Sequence, residues 1–245
     1  MKNSNKKFLS SIIPIYNEEK NLFKNLEFIF LKLKNILKNN FELIIVNDGS
    51  DDGSYKEITK FKKKYTKVKI INLKKNSGFG NAIESGFKRS TGDYITFNGG
   101  DLPYKYENFK KAIRLLEKYD IIIFSRINRK ALNLWRKLTS ITWSILTRTI
   151  LNLSYKDMTF VQIYPRSIMN SKRVSKFGPA AFSVELIYLA TLKNMKIIEL
   201  NSIFHKRNFN EIKYGKFRDI ILSFFGLLFI YFKTSKKKIK YYKIL

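Results

Sequence analysis

The sequence predicts an α/β fold, a Rossmann-like, mostly parallel sheet flanked by helices, followed by an amphipathic, basic C-terminal tail. Three observations carry this. Apolar runs of strand length alternate with helix-period segments from residue 8 to about residue 102. Those runs end abruptly on clusters of Gly, Asn, Asp and Ser, as strands do at the carboxyl edge of an open sheet. The chain has 245 residues, enough to bury one good core.

Taken in order, Phe8 to Tyr16 reads as a strand, and Glu18 to Lys38 as an amphipathic helix with Leu22, Leu26, Ile29, Leu33 and Leu37 on one face. Phe41 to Asn47 is a solid apolar run, broken by Asp48-Gly49-Ser50-Asp51-Asp52-Gly53, which can cap a following helix. Val68 to Leu73 is a third strand, Gly78 to Lys88 a helix opening on glycines, and Tyr94 to Phe97 a fourth strand running into Asn98-Gly99-Gly100-Asp101. Lys105 to Lys118 carries Phe109, Ala112, Ile113 and Leu116 on one face, and Asp120 to Ser125 is a short buried strand ending at Arg126. Residues 131 to 153 form a mostly apolar segment punctuated by Arg136, Lys137 and Arg148. Thr159 to Tyr164 reads as a strand, Phe182 to Lys193 as a helix and Met195 to Leu200 as a strand. No internal repeat and no Pro- or Ser-rich linker divides the chain, so one domain is expected over residues 1–212, with a regularly alternating half to about 102 and a less regular half over 103–212. Residues 213–245 differ, being an aromatic run followed by Lys233, Lys236, Lys237, Lys238, Lys240 and Lys243.

Composition narrows the chemistry. There are no cysteines, which excludes disulfides and thiolate metal sites. A formal charge of +29 favours an anionic partner: nucleic acid, a membrane face or a phosphorylated substrate. The basic N-terminus leads into an apolar stretch broken by Pro14 and Asn17, so no secretory signal is expected. The longest charge-free apolar run, Ile220 to Phe232, has 13 residues where a spanning helix needs about 20, so it suits an interfacial position instead. The aromatics recur mostly at core spacing and no recognised nucleic-acid module is evident, which makes nucleic acid an unlikely partner. His205 beside Lys206 and Arg207 is expected at the surface or in packing, and Trp135 and Trp143 in core, although Trp and Arg on amphipathic helices also rest at membrane interfaces.

Four strand ends carry polar clusters, and a doubly wound sheet would bring them to one crevice. They are Pro14-Ile15-Tyr16-Asn17-Glu18, Asn47-Asp48-Gly49-Ser50, Asn76-Ser77-Gly78-Phe79-Gly80 and Gly99-Gly100-Asp101. Carboxylates suit ribose hydroxyls, base N–H groups and a divalent cation, while glycines let a phosphate approach the backbone. Each cluster alone also reads as an ordinary turn or helix cap.

Together, Ile12 to Glu18, Ile44 to Gly53, Asn76 to Gly86 and Gly92 to Ile95 resemble a family 2 glycosyltransferase of GT-A fold, over nearly all of residues 8–215. Within that family the chain is most similar to the dolichyl-phosphate mannose synthase and polyprenyl-phosphate glycosyltransferase branch. The signs of that branch are Ser125-Arg126, Arg136 with Ser140, Asp157 before a strand ending in Arg166, Glu185 on a helix, and Arg207 followed by Tyr214-Gly215-Lys216. The resemblance implies an inverting transfer of a sugar from a nucleoside diphosphate sugar to a polyprenyl phosphate. It implies that Pro14, Tyr16, Glu18 and Asp48 hold the nucleoside, with Gly78, Gly99 and Gly100 at glycine-rich turns of the donor crevice and Asp101 facing metal and pyrophosphate. Arg126, Arg136, Ser140 and Arg207 match positions that grip the acceptor phosphate, while Asp157, a possible general base, and Glu185 would lie near the transferred sugar.

The chemistry agrees with these roles. A departing nucleoside diphosphate gathers negative charge that a cation can offset, and the planar fork of arginine fits phosphate bidentately. Only ten of the 48 basic residues are arginine, so their positions are informative. The chain departs from the family in having Gly99 where Asp-x-Asp has its first acid and Asn47 in place of the first acid of an Asp-Asp pair. Weaker binding of Mg²⁺ or Mn²⁺ follows, and the donor need not be GDP-mannose. The expected setting is peripheral attachment to the cytoplasmic face of an anionic membrane through the C-terminal aromatic and lysine run. The alternatives are extension of a cell-surface saccharide or glycolipid, and non-catalytic binding of a nucleotide sugar or nucleic acid.

Overall fold

The computed structural model describes residues 7–100, 106–127, 134–169, 177–203 and 217–242. Among them the strands are β1 (Leu9–Ile15), β2 (Phe41–Asn47), β3 (Lys69–Asn72), β4 (Tyr94–Phe97), β5 (Ile121–Arg126), β6 (Gln162–Pro165) and β7 (Ile197–Ser202). They form one sheet in the order β3-β2-β1-β4-β6-β5-β7. The helices are α1 (Leu22–Leu37), α2 (Ser54–Lys64), α3 (Phe79–Arg89), α4 (Tyr106–Leu115), α5 (Leu134–Leu151), the single turn α6 (Arg166–Met169), α7 (Gly178–Leu192) and α8 (Phe217–Tyr242). β6 runs antiparallel to both β4 and β5, and the other pairs are parallel. The expected α/β architecture is therefore present, with the carboxyl ends of β1 to β5 and β7 on one edge.

Alternation along the strands splits the core in two. Ile12, Ile44, Val46, Ile95, Phe97 and Ile123 pack toward α3 and α7. Leu9, Ile13, Ile45, Ile122, Phe124 and Ile163 pack toward α1, α2 and α4. α3 sits tight on the sheet because Gly86 has no side chain, since a Cβ there would fall 2.4 Å from Ile12 Cγ2. α7 is apolar nearly all round and is buried accordingly.

α8 packs against α7 and α5. Leu227 and Ile230 are fully buried in the α3/α7 half of the core, and Gly226 fits where a Cβ would lie 2.7 Å from the Cβ atoms of Ala181 and Phe177. Its outer side exposes Phe225 (55 %) and Phe232 (61 %). No helix among the described residues is long and apolar enough to cross a membrane.

Several boundaries differ from the periodicity: α7 begins at Gly178, four residues before Phe182, β7 lies two residues later than expected, and two further shifts have a visible cause. α1 begins at Leu22, not at Glu18, because the backbone N–H groups of Glu18 and Glu19 donate to Ser54 Oγ and Asp52 Oδ2 and hold residues 16–21 as a loop. β6 begins at Gln162, later than Thr159, because Asp157 and Thr159 are engaged by Arg126. On the sheet beside Ser10, buried Glu42 accepts from Ser10 Oγ (2.5 Å) and Thr91 N–H (2.5 Å) and pairs with Lys69 (2.6 Å). Burial pushes its carboxyl up, but Lys69, Ser10 and Thr91 together outweigh burial and hold it below the usual glutamate value.

Candidate active site

Parallel pairing brings the loops after β1, β2, β3 and β4 to one edge. Ile15 is level with Asn47, Asn47 with Asn72 and Ile12 with Phe97. Side chain to backbone bonds then sew the loops together. Asn17 N–H donates to Ser50 Oγ (3.1 Å), Asp51 N–H to Asn17 Oδ1 (3.1 Å) and Gly53 N–H to Glu19 Oε2 (3.2 Å). This fixes the loop after β1 to the loop after β2.

Asp48 fixes the next loop. Its side chain is buried, and Oδ1 accepts from the N–H (2.8 Å) and Oγ (2.7 Å) of Ser77 while Oδ2 accepts from the N–H of Gly78 (3.0 Å). Gly49 permits this closeness, being left-handed (φ 66°) with the backbone carbonyl carbon of Lys75 2.3 Å from where a Cβ would stand. Gly78 is also left-handed (φ 85°), has open space where a side chain would be, and leads straight into α3. An open glycine ahead of an eleven-residue helix lets an anionic group approach the backbone. Asn47, standing where an acid was expected, donates through Nδ2 to Asn72 Oδ1 (2.6 Å).

The remaining positions expected to face the donor lie on the same edge. Pro14 is half-buried on β1 opposite Val46, and Tyr16 is 36 % exposed just beyond the strand. Glu18 meets Gly100, whose Cβ would fall 2.8 Å from Glu18 Oε2. Gly99 and Gly100 therefore turn the chain after β4 directly past a carboxylate. Asp101 and Arg207 lie outside the described residues, as does His205, and Arg136 stands on the first turn of α5 with its side chain outside them. Among the described residues no group of three metal-ligating side chains gathers. Asp48 has both oxygens engaged, so the described carboxylates do not form a protein cage. The expected metal ligand, Asp101, lies outside the described residues, so the described residues alone provide no cation site.

Arg126 and Asp157, expected separately, are joined. Arg126 Nε donates to Asp157 Oδ2 (2.6 Å) and Nη2 to Oδ1 (3.0 Å), with Thr159 Oγ1 at 3.3 Å and the Phe160 ring centroid at 5.0 Å. The Asp157 side chain is only 2 % exposed. Glu185 is buried on α7, 1 % exposed, and pairs with Lys233 of α8 at 2.5 Å. Ser140 is half-buried on α5. Arg166 is structural, since its Nε donates to Gly92 O (2.9 Å) and its Nη2 to Ser90 Oγ (2.9 Å). Ser77 stood in a strand-end cluster and Lys233 in the C-terminal lysine run, but their partners, and any role for Asn72, are distant in sequence and left no local sign.

Beside the crevice, at the ends of β5 and β7, a groove of about 440 Å³ opens between Arg126, Asn201, the α5 side chains Ile141 and Arg148, and Lys156. Neither Arg148 nor Lys156 was singled out from the sequence as a binding residue. The spacing of Ile141, Ser144, Ile145 and Arg148 on one helix face was the available signal.

Comparison with known proteins agrees with this geometry. The chain is 27 % identical over 215 residues to a dolichyl-phosphate beta-glucosyltransferase of Dictyostelium discoideum, covering 79 % of this chain and 65 % of that protein. It is 35 % identical over 120 residues to a dolichol-phosphate mannosyltransferase of Pyrococcus furiosus, covering 48 % of this chain and 33 % of that one. It is 29 % identical over 216 residues to an undecaprenyl-phosphate 4-deoxy-4-formamido-L-arabinose transferase of Pectobacterium atrosepticum, covering 85 % and 63 %. The chain thus spans less than two thirds of the length of each of these curated relatives. Among solved structures, a mannosyltransferase of Pyrobaculum calidifontis in complex with GDP-Man and Mn²⁺ superposes with a TM-score of 0.62 at 11 % identity, covering 82 % of this chain and 57 % of that one. A glucosyl-3-phosphoglycerate synthase of Mycobacterium tuberculosis does so with a TM-score of 0.68 at 15 % identity, covering 91 % and 80 %. These two share the fold, which is of GT-A type. Residues 10–177, well over half of the chain, match the family described as Glycosyl transferase family 2, and the chain belongs to that family.

Proposed function

We propose that this chain transfers a sugar, with inversion, from a nucleoside diphosphate sugar to a polyprenyl phosphate. The observation that carries the reading is the pairing, on one sheet edge, of a glycine-lined crevice sewn by Asp48 with a neighbouring groove that combines cationic and isoleucine side chains. The names of the three curated relatives, each a sugar transferase for a dolichyl, dolichol or undecaprenyl phosphate, support the same acceptor class.

In this reading Pro14, Tyr16 and Glu18 contact the nucleoside. Asp48 shapes the site by holding Ser77 and Gly78, and Gly78, Gly99 and Gly100 let the diphosphate approach the backbone. A phosphate oxygen of the acceptor attacks the anomeric carbon as the bond to the nucleoside diphosphate breaks, and the leaving group departs with the electron pair. The acceptor phosphate has a second pKa near 6. It is already an anionic nucleophile at neutral pH and needs positioning more than a base, which suits an Asp157 committed to Arg126. Arg126, Arg136, Ser140 and Arg207 orient that phosphate. A divalent cation, held through Asp101 and the diphosphate, would offset the charge on the departing oxygen. Glu185 supports the sugar pocket from within α7.

The exposed aromatics of α8 and the lysines of the chain from Lys236 on fit peripheral attachment to the cytoplasmic face of an anionic membrane, each basic residue near the surface contributing about 1 kcal/mol. Residues 1–212 would then act as the catalytic unit, with residues 213–245 docking it. The test is to offer purified protein radiolabelled nucleotide sugars with either a prenyl phosphate or a saccharide acceptor. Label is expected on the prenyl phosphate, and label on saccharide alone would overturn the reading.

A further inference from the structure

The amide pair Asn47–Asn72, at the carboxyl ends of β2 and β3, forms a one-way relay. Asn47 is 2 % exposed, and the backbone orients its side chain, because the N–H of Ser50 can only donate and it meets Asn47 Oδ1 (3.4 Å). The amide nitrogen is thereby turned toward β3, where Nδ2 donates to Asn72 Oδ1 (2.6 Å). Asn72 is level with Asn47 in the ladder, and the N–H of Leu73 donates to the carbonyl of Asn47 (2.9 Å), so backbone and side chain both hold the end of β3 to β2. With its oxygen taken up by Asn47, Asn72 is left to offer Nδ2 as a donor. The residue is exposed, and among the described residues nothing accepts from that nitrogen.

The relay stands on the edge that carries the crevice. Ile15, Asn47 and Asn72 are level across β1, β2 and β3. Neighbouring strands lie about 4.8 Å apart, which puts Asn72 about 10 Å from the end of β1, where Tyr16 follows. Asp48, next to Asn47, already accepts three bonds from Ser77 and Gly78, close to the about four that a carboxylate can take. Acceptor capacity here is therefore largely consumed inside the protein, while a neutral donor is open to a flat heterocycle seated beside Tyr16. Uracil and guanine carry an exocyclic carbonyl oxygen where cytosine and adenine carry an amine. A donor fits the first pair and opposes the second.

We propose that Asn72, oriented by Asn47, selects the base of the donor: its Nδ2 donates to the exocyclic carbonyl oxygen of an oxo base, uracil or guanine, and disfavours cytosine and adenine. Asn72 touches the base, and Asn47 is a positioning residue that acts through it. An acid at position 47 would accept from Asn72 Nδ2, turn that amide over and leave its oxygen outward. This inference rests on the reading given under Proposed function, in which a nucleoside diphosphate sugar fills the crevice, and adds to it the class of base.

The test is calorimetry of UDP, CDP, GDP and ADP on the full chain with Mg²⁺, which needs no acceptor lipid. Wild type should prefer UDP over CDP, or GDP over ADP, about tenfold, and the two arms tell a pyrimidine site from a purine one. Asn72→Ala should remove that preference. Asn72→Asp, which offers an oxygen in place of the NH₂, should reverse it, and so should Asn47→Asp through the turned amide. Asn72 is exposed and tolerates these changes, and thermal melts check folding. An amide pair that only held β3 to β2 would give variants with lower melting temperatures and all four affinities weakened alike, and that result would overturn the inference. Wild type that binds CDP as tightly as UDP and ADP as tightly as GDP would overturn it too, while leaving the proposed transfer intact. Reversal in Asn72→Asp with none in a folded Asn47→Asp would overturn the positioning role of Asn47. Wild type that binds none of the four would overturn the proposed function, and this inference with it.

Discussion

Replacing Asp48 by Asn changes one atom on the floor of the crevice. An amide oxygen in the place of Oδ1 still accepts both bonds from Ser77, but the amide NH₂ then faces the Gly78 N–H across 3.0 Å. A hydrogen bond to an ionised acceptor is worth about 1.5–3 kcal/mol, and an orphaned buried donor costs about 1 kcal/mol or more. The variant should therefore lose about 3 kcal/mol. At about 2–4 °C per kcal/mol for a chain of this size, the melting temperature should fall by about 10 °C. The loop around Gly78 should loosen first, so its amide should exchange faster in an NMR hydrogen-exchange series and nucleotide-sugar affinity should drop about tenfold or more. A melting temperature within about 1 °C of wild type, together with unchanged protection of the Gly78 amide, would refute the claim that Asp48 holds this loop.

Other changes separate the crevice from its scaffold. Gly100→Ala brings a Cβ to 2.8 Å from Glu18 Oε2 and 3.0 Å from Ile15 Cδ1. Because the first is the far end of a flexible side chain, stability should fall by only about 1 kcal/mol while calorimetry shows nucleotide-sugar binding weakened at least tenfold; equal affinity would count against a role for Glu18 there. Lys233→Ala takes a cation from the buried Glu185 and should cost about 3 kcal/mol in urea unfolding, with Glu185→Gln in the same chain recovering part of it. Glu42 sets an acid limit. Its folded carboxyl lies below the unfolded value of about 4.3, so its contribution is complete above that value and is lost as pH falls through the lower, folded one. Melting temperature plotted against pH should thus fall less steeply below about pH 4.3 in Glu42→Gln than in wild type, and parallel curves would contradict the assignment.

The parallel half was legible because its inner strands β1, β2 and β4 are largely buried and read as apolar runs, such as Leu43 to Val46, between helices with a clear apolar stripe, while β3 is the half-exposed edge. The reversal of β6 was not legible, since Gln162 to Pro165 has the composition of a short strand in either direction and direction is set by pairing. The packing of α8 depends on Gly226 meeting Ala181 and Phe177, some 45 residues away, which no local pattern encodes. At the site, Asp48, Gly78 and Gly100 stood out because carboxylates and glycines at strand ends are informative by position alone. The engagement of Asp48 with Ser77, the locking of Arg126 by Asp157 and the approach of Lys156 to Arg148 arise from loops folding back on one another, and became visible only in three dimensions.

The most direct test of the account is transfer of labelled sugar from a nucleotide sugar to farnesyl phosphate in the presence of Mg²⁺ or Mn²⁺, with wild type and Asp101→Asn assayed side by side and the label counted in the organic phase. The account predicts a prenyl-phosphate sugar of inverted anomeric configuration from wild type and none from a folded Asp101→Asn. Equal product from both, or a wild type that binds the nucleotide sugar yet passes nothing to the prenyl phosphate, would contradict it.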